Sequence, residues 1–186
     1  MLKKTLLVVA LLAATAIPAL AEKIDNPEYL SWKTFKPGAM VKVEHVTKMA
    51  DTETKTVTTT TLKKLTDAKA VVTTQTTMFV MGNTVEQPAQ DREIPATFDK
   101  PEMPGEPEGV EKPDIEMEEG EETLTVGGKE VACKWVKSTV KAVGTTVVAT
   151  SWNSDAVPGG LVKMESTTSG AMKVETRMTV TEFKTE

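Results

Sequence analysis

The chain has 186 residues, 26% of them charged, a net charge of −5, and a single cysteine and histidine. One cysteine excludes an internal disulfide, so stability has to come from packing. An HExxH metal site needs two histidines, so the single histidine excludes it. No cysteine–histidine spacing typical of zinc is present either.

The N-terminus, MLKKTLLVVALLAATAIPALA, has the pattern of a secretory signal peptide. Two lysines precede an apolar run from Leu6 to Ile17, and a proline and the small residues Ala19-Leu20-Ala21 follow it. The apolar run is too short to span a bilayer; the alternative is an uncleaved N-terminal anchor. We therefore expect a signal peptide over residues 1–21 and an exported protein, periplasmic or extracellular.

The remaining residues, 22–186, have the length of one domain with a core. No later apolar run is long enough for a transmembrane segment. The first predicted element is a short helix over residues 25–35. Asp25 or Asn26 can cap it, Pro27 suits its first turn, and Lys36-Pro37-Gly38 ends it. An aromatic stripe at i, i+3 and i+6 is expected to face the core: Tyr29, Trp32 and Phe35.

After Gly38 the chain is rich in threonine and valine, which favour strands. Apolar and polar residues alternate, as in Val41, Val43 and His45, which is the period of a sheet with one face on a core and one in water. Glycines mark hairpins between the runs. The predicted strands are 39–49, 53–65, 69–81, 121–126, 129–142, 145–153, 160–168 and 171–184.

These signals predict a mainly β fold: a curved antiparallel meander, half-barrel-like, packed on the short N-terminal helix. The predicted core consists of Trp32, Val43, Phe79, Cys133, Trp135, Val148, Trp152, Met164, Val174 and Met178. Strand 53–65 is nearly all polar, and its lysines are typical of an edge or heavily solvated strand. An O-glycosylated or ice-binding threonine surface is the alternative interpretation of that strand.

Residues 86–122 differ from the rest, with six prolines and fourteen acidic against three basic residues, a net charge of −11. Proline cannot donate to a strand ladder, and like charges repel. We expect an acidic, proline-rich loop or partly disordered insertion here. Without it and the two lysines of the signal peptide, the chain carries +4, so the insertion either covers this basic body or captures basic partners or cations.

Catalytic constellations are absent from the sequence. No serine lies in a nucleophile elbow, no phosphate loop is present, and the acids are concentrated in the proline-rich insertion. Cys133 shares a strand face with Val131 and Trp135 and is expected to be buried, since free cysteine behaves as a small core residue. Copper binding through His45 and Met49 is a weaker interpretation than packing. We therefore expect no catalytic residue, no metal and no cofactor, and the acidity of the chain argues against nucleic acid.

The stretch SWNSDAVPGGLVK, residues 151–163, is predicted to join two strands. Trp152 should anchor the end of the first strand, while Ser154 and its neighbours can bond their own backbone. Pro158-Gly159 fits the central positions of a type II turn. A structured corner is the expectation, and the rim of a ligand cavity is the alternative.

The order of a signal peptide, a short aromatic helix and a one-sided antiparallel meander resembles the lipoprotein carriers LolA and LolB. The segments GKEVACKW (128–135) and WNSDAVPGGLV (152–162) also resemble uncharacterised exported bacterial β-rich proteins. The carrier resemblance implies a curved, incompletely closed sheet that holds an acyl chain in an apolar concavity. This chain departs from those carriers in having one short helix, few aromatic residues and the acidic insertion.

The predicted function is that of an exported, non-enzymatic binding protein of the cell envelope with a lipid or other amphipathic ligand in the sheet concavity. The candidate ligand-binding residues are Phe79, Trp135, Trp152 and Met164. The alternative is a structural or interaction protein that contacts basic envelope proteins through the acidic insertion. An enzyme dependent on His45 is the third hypothesis.

Overall fold

A computed structural model describes residues 23–80, 82–100, 114–142 and 144–186. The predicted signal peptide lies outside these residues. The described elements are, in chain order, β1 (Lys23–Asp25), α1 (Pro27–Lys33), β2 (Met40–Met49), β3 (Thr52–Leu65), β4 (Lys69–Val80), β5 (Asn83–Glu86), β6 (Gln90–Pro95), β7 (Thr97–Asp99), β8 (Asp114–Val126), β9 (Lys129–Ala142), β10 (Thr145–Asn153), β11 (Leu161–Ser169) and β12 (Val174–Lys184).

Ten of the strands form one antiparallel sheet in the order β5-β4-β3-β2-β12-β11-β10-β9-β8, and β6 pairs beside β5 on the same edge of β4. The small strands β1 and β7 pair with each other. The sheet stays open and curves: although β12 and β9 are separated by two strands, Lys129 Nζ lies 4.9 Å from the Phe183 ring centroid. The predicted fold class, a curved antiparallel sheet with a short helix, is confirmed.

Helix α1 begins as its sequence predicts. The Asn26 side chain accepts a hydrogen bond from the Glu28 backbone N–H (3.0 Å), and Pro27 is the first helical residue. Tyr29 and Trp32 are buried, and the Tyr29 hydroxyl donates to the Thr66 carbonyl oxygen (2.9 Å). The helix thereby covers one end of the sheet.

The core lies at this helix end. Its buried residues are Tyr29, Trp32, Ala39, Val41, Leu62, Ala70, Val72, Ile94, Val126, Val131, Cys133, Val157, Val162, Val180 and Phe183. Val126, Val131 and Cys133 come from the β8–β9 hairpin, whose tip runs past the last β10 residue, Asn153. A two-stranded ribbon twists more strongly than a wide sheet, and this brings the tip back onto the core.

The predicted core is confirmed only in part. Trp32 and Cys133 are buried, and Val43 and Trp152 pack against the core while partly exposed. Trp135, Val148, Met164, Val174 and Met178 are half-buried. The prediction is wrong for Phe79, which is 37% exposed near the end of β4. α1 covers the opposite end of the sheet, and Phe79 lies between Thr84 of the short, exposed β5 and Lys55 of β3.

Seven of the eight predicted strands have boundaries within three residues of those observed, and β9 and β10 match residue for residue, whereas β8 begins at residue 114 instead of 121 and β1, β5, β6 and β7 were not predicted. Strand 53–65 is predicted to be either an edge strand or a heavily solvated one, and the edge position is wrong. β3 is interior, paired along its length with β2 and β4. Threonine explains this placement, because its branched side chain packs well on the pleated surface of an interior strand although it is polar.

The loop predicted over residues 86–122 is also wrong for much of its length. Residues 90–95 and 97–99 form β6 and β7, and residues 114–122 belong to β8. The buried Ile94 anchors β6 against β4, while β8 gains a full-length partner in β9. These pairings outweigh the effect of charge and proline. Residues 101–113 lie outside the described part of the chain.

The stretch at residues 151–163 is a structured corner. The Val157 carbonyl oxygen accepts a hydrogen bond from the Gly160 backbone N–H (2.9 Å), and Gly159 has φ +82°. This confirms the type II turn. The Ser154 hydroxyl accepts a bond from the Ala156 N–H (3.3 Å). A Cβ on Gly159 would lie 3.5 Å from the Trp32 ring, so the turn packs against α1.

Candidate functional site

The strand register assigns each side chain to one of two faces, because directly opposite residues in an antiparallel pair share a face. We call the face on which Val41, Leu62 and Val72 lie the inner face, since α1 packs there. The opposite face is the outer face. Both faces continue beyond the core towards the end of the sheet away from α1, which we call the open end.

Three rows of side chains cross the inner face between the core and the open end, and together they form what we call the upper inner face. The first row is Met78, Thr56, His45, Met178, Met164, Ser151 and Val136. The second is Thr54, Thr47, Thr176, Ser166, Ala149, Ser138 and Met117. The end row is Thr52, Met49, Val174, Thr168, Val147, Val140 and Ile115.

None of these residues is an aspartate, glutamate, lysine or arginine. The first charged side chain in register with them is Glu119, on the edge strand β8. Most of the central members are half-buried, and α1 packs against β4 and β6 at the helix end rather than over them. Methionine, valine and the methyl groups of threonine make this surface apolar and adaptable.

His45 lies near the middle of the upper inner face, opposite Thr56 and Met178. Its Nε2 is 3.3 Å from the Thr47 hydroxyl oxygen, within hydrogen-bonding distance. The Thr58 and Thr76 hydroxyls approach each other to 3.5 Å one row nearer the core. The surface therefore offers a few neutral hydrogen-bonding groups among apolar ones.

The outer face carries the charges. One of its rows contains Lys55, Arg177, Glu165, Lys137 and Glu118. Ion pairs link neighbouring strands there, with Lys55 Nζ 2.5 Å from a Glu44 oxygen and Lys137 Nζ 3.1 Å from a Glu118 oxygen. The two faces of one sheet thus differ sharply in polarity beyond the core.

The structure separates the four predicted ligand-binding residues. Trp135 and Trp152 lie opposite each other on the outer face. The Trp152 indole donates to Glu122 Oε2 (2.7 Å), and Lys163 Nζ lies 4.5 Å from its ring. Phe79 is on the outer face of β4, five strands from β10 in the sheet order, and Met164 is on the inner face.

The sequence prediction missed the inner-face rows because it selected large side chains one by one. The available signal was the alternation within each strand. In β2, in β11 and in the parts of β3 and β12 that precede their bulges (residues 52–62 and 174–180), all charged residues lie on one parity and the other parity is uncharged. This pattern is visible in the sequence of each of these strands. Only the register shows that the uncharged residues of neighbouring strands lie on the same face of the sheet.

A cleft of about 680 Å³ lies between the β8–β9 hairpin and residues 153–160. Its lining mixes the polar and charged residues Glu121, Glu122, Lys134 and Asp155 with apolar surface, and Cys133 also lines it. The Cys133 thiol lies 3.4 Å from the Val131 carbonyl oxygen, and burial raises the pKa of the thiol. A protonated, buried thiol is a poor nucleophile, so Cys133 fits its predicted packing role.

Within the described residues, no cluster of three or more histidine, cysteine, aspartate or glutamate side chains has the geometry to hold a metal ion. No described helix has the length and apolar character needed to cross a bilayer. No protein-family model, curated protein or solved structure matches the chain. The resemblance to lipoprotein carriers therefore stays a prediction.

Proposed function

We propose that the chain is an exported, non-enzymatic binding protein of the cell envelope that holds an apolar or amphipathic ligand against the upper inner face. The observation that carries this proposal is the segregation of charge: three consecutive rows contain no charged residue apart from Glu119 on the edge strand β8, while the outer face of the same strands is charged. A sheet face that only met solvent would not need to exclude charge from three rows.

The energetics favour an apolar ligand. Covering about 200 Å² of apolar surface contributes on the order of 5 kcal/mol, part of which offsets the entropy lost on association. The hydroxyls of Thr47, Ser151 and Ser166 and the imidazole of His45 can hydrogen-bond a neutral polar group of the same ligand. A ligand charge placed over these rows would be desolvated without a partner, which is costly.

The test is a titration with an environment-sensitive fluorescent fatty acid. Ser166→Lys places an ammonium group on the inner face, whereas Thr167→Lys places it one residue along the same strand on the outer face, opposite Glu175. Both positions are half-buried hydroxyl residues in the parent chain. We expect Ser166→Lys to raise the Kd at least about tenfold, since it buries an unpaired charge, and Thr167→Lys to change it less than about twofold.

The proposal fails if the parent protein shows no saturable binding and native mass spectrometry detects no co-purified lipid. It fails equally if the two lysine variants respond alike, because the ligand would then not distinguish the faces.

The alternative function, capture of basic partners by the acidic segment, has less support. Glu116 and Glu118 already pair with Lys141 and Lys137 across the β8–β9 ladder. Deletion of residues 86–122 would remove β6, β7 and most of β8, so Glu119→Gln/Glu121→Gln is the better variant. Retention of the parent chain, but not this variant, on immobilised polylysine, together with no fatty-acid binding, would favour the alternative.

A further inference from the structure

Exposed apolar side chains gather at the open end of the sheet. Seven of the nine large hydrophobic residues that are exposed in the described chain lie there, and the other two are Leu30 and Phe98. The seven are Met49, Phe79, Val80, Val85, Ile115, Met117 and Met172. They come from four separate parts of the chain: the end of β2, the β4–β5 hairpin, the start of β8 and the β11–β12 connection.

Four members of this exposed set adjoin or belong to the upper inner face. Part of the end row crosses six neighbouring strands, from Met49 on β2 to Ile115 on β8. Val174, Val147 and Val140 lie between these two residues. Met117 belongs to the second row, and Met172 lies in the connection just beyond Val174. We call Met49, Ile115, Met117 and Met172 the apolar rim.

Charged residues surround the apolar rim, and each lysine among them lies next to a carboxylate. Lys48 is in register with Glu53, Lys173 Nζ lies 2.5 Å from a Glu175 oxygen, and Lys141 Nζ lies 2.8 Å from a Glu116 oxygen. An Asp114 oxygen also lies 3.9 Å from Lys141 Nζ, and Asp51 lies in the turn after Met49, so the belt of charges around the rim has no excess of lysines. A belt of this kind matches a surface that carries both signs of charge equally, whereas an anionic surface would require an excess of lysines.

We propose that the apolar rim docks on a lipid surface with zwitterionic headgroups and that the ligand passes over the end row to the upper inner face. This inference rests on the proposed function and names the partner from which the ligand is taken. Exposed apolar patches with polar surroundings mark interaction sites. The continuity of the rim with uncharged rows lets an acyl chain leave a bilayer without crossing a charged surface.

The experiment compares two variants in two assays. Met172→Ser changes a rim residue that is 61% exposed and lies outside the three rows of the upper inner face, so neither the fold nor binding of the free fatty acid should depend on it. Leu30→Ser is the matched control, because Leu30 is an exposed apolar residue (43%) on α1 at the opposite end. The first assay is flotation with phosphatidylcholine vesicles, and the second is titration with the fluorescent fatty acid without vesicles.

We expect the rim variant to bind vesicles about tenfold more weakly than the parent, because the apolar Met172 side chain no longer leaves water there. Its Kd for the free fatty acid should stay within about twofold of the parent value, and Leu30→Ser should match the parent in both assays.

The inference is overturned if the rim variant floats like the parent, if the parent does not float while it still binds the free fatty acid, or if flotation requires anionic lipid. It is also overturned if light scattering shows that the parent is a dimer and the rim variant a monomer, since the rim would then join two copies. Loss of free fatty-acid binding with intact, rim-dependent flotation would refute the proposed function and leave the docking surface standing.

Discussion

Single side chains tie α1 to the sheet. Arg92 of β6 donates from both terminal nitrogens to Glu28 of α1, with Nη1 2.9 Å from Oε2. This hydrogen bonding lowers the pKa of the Glu28 carboxyl. Arginine and a carboxylate in two-pronged contact form the stronger kind of surface ion pair. The pair holds the helix against an edge strand that would otherwise have few contacts with it.

Glu28→Gln should lower the free energy of unfolding by about 0.5–1 kcal/mol at pH 7, the scale of a partly exposed pair. Because folding lowers the pKa of Glu28, its stabilisation is present above the unfolded-state pKa and is lost as the pH falls through the folded-state pKa. The difference between the two proteins should therefore shrink below about pH 4. Urea unfolding at several pH values measures it.

Glu93→Gln is the control, because Glu93 pairs with Lys69 at a more exposed position and through a single contact. Its effect on stability should be smaller than that of Glu28→Gln. A Glu28→Gln effect that stays constant down to pH 2 would show that the carboxylate charge is not what stabilises the helix contact.

At the scale of elements, the β8–β9 hairpin shows why an acidic segment forms a strand. The turn at Gly127 and Gly128, both with positive φ, sets a register in which Glu118 faces Lys137 and Glu121 faces Lys134. The acidic and basic residues lie at matching distances from the Gly127-Gly128 turn in the sequence, which is a signal for a long hairpin. Composition alone predicted a loop, since composition does not consider which residues a strand would face.

The same register places Gly120 opposite Trp135, and the indole lies over the glycine. A Cβ on Gly120 would be 2.6 Å from Trp135 Cζ2. We therefore expect Gly120→Val to displace the ring and to destabilise the protein by about 1–3 kcal/mol, although valine favours strands. Thermal unfolding and tryptophan fluorescence measure the change.

Thr123→Val, an exposed substitution on the same strand, is the control and should change stability little. In a Trp135→Ala background the cost of Gly120→Val should nearly vanish, because the two residues act as a contact pair. A cost that is equal in both backgrounds would exclude the ring as its cause.

The whole molecule is asymmetric along its strands. The buried residues of β2 and β12 lie near α1, whereas Met49 at the other end of β2 is 44% exposed. Local opening requires less free energy where few apolar contacts are broken. The open end should therefore be the less stable part of a sheet that is otherwise continuous.

Native-state amide hydrogen exchange should show protection that falls along β2 from Val41 towards Met49 and along β12 from Val180 towards Val174. Bound fatty acid should add protection first at the open end, because it adds contacts there. NMR measures both effects. Uniform protection along β2 and β12, with or without the fatty acid, would contradict this view of the molecule.

Local patterns in the sequence determined much of this protein. The Asn26 cap, the Pro158-Gly159 turn and the alternation along β2 depend on neighbouring residues, and the structure bears them out. The helix ends two residues earlier than predicted, and Phe35 still packs against the core. Such features are predictable because backbone conformation and side-chain alternation are set over a few residues.

Only the tertiary structure decided how the strands combine. β12 pairs with β2 across most of the chain length, β3 becomes interior, and Met164 comes to lie beside Met178 on the inner face while Trp135 and Trp152 lie on the outer face. A shift of one residue in any pairing would move a strand's side chains to the other face. The uncharged surface exists because each strand pairing places the uncharged residues of both strands on the same face. The alternation within a strand carries no information about which strand will be its neighbour.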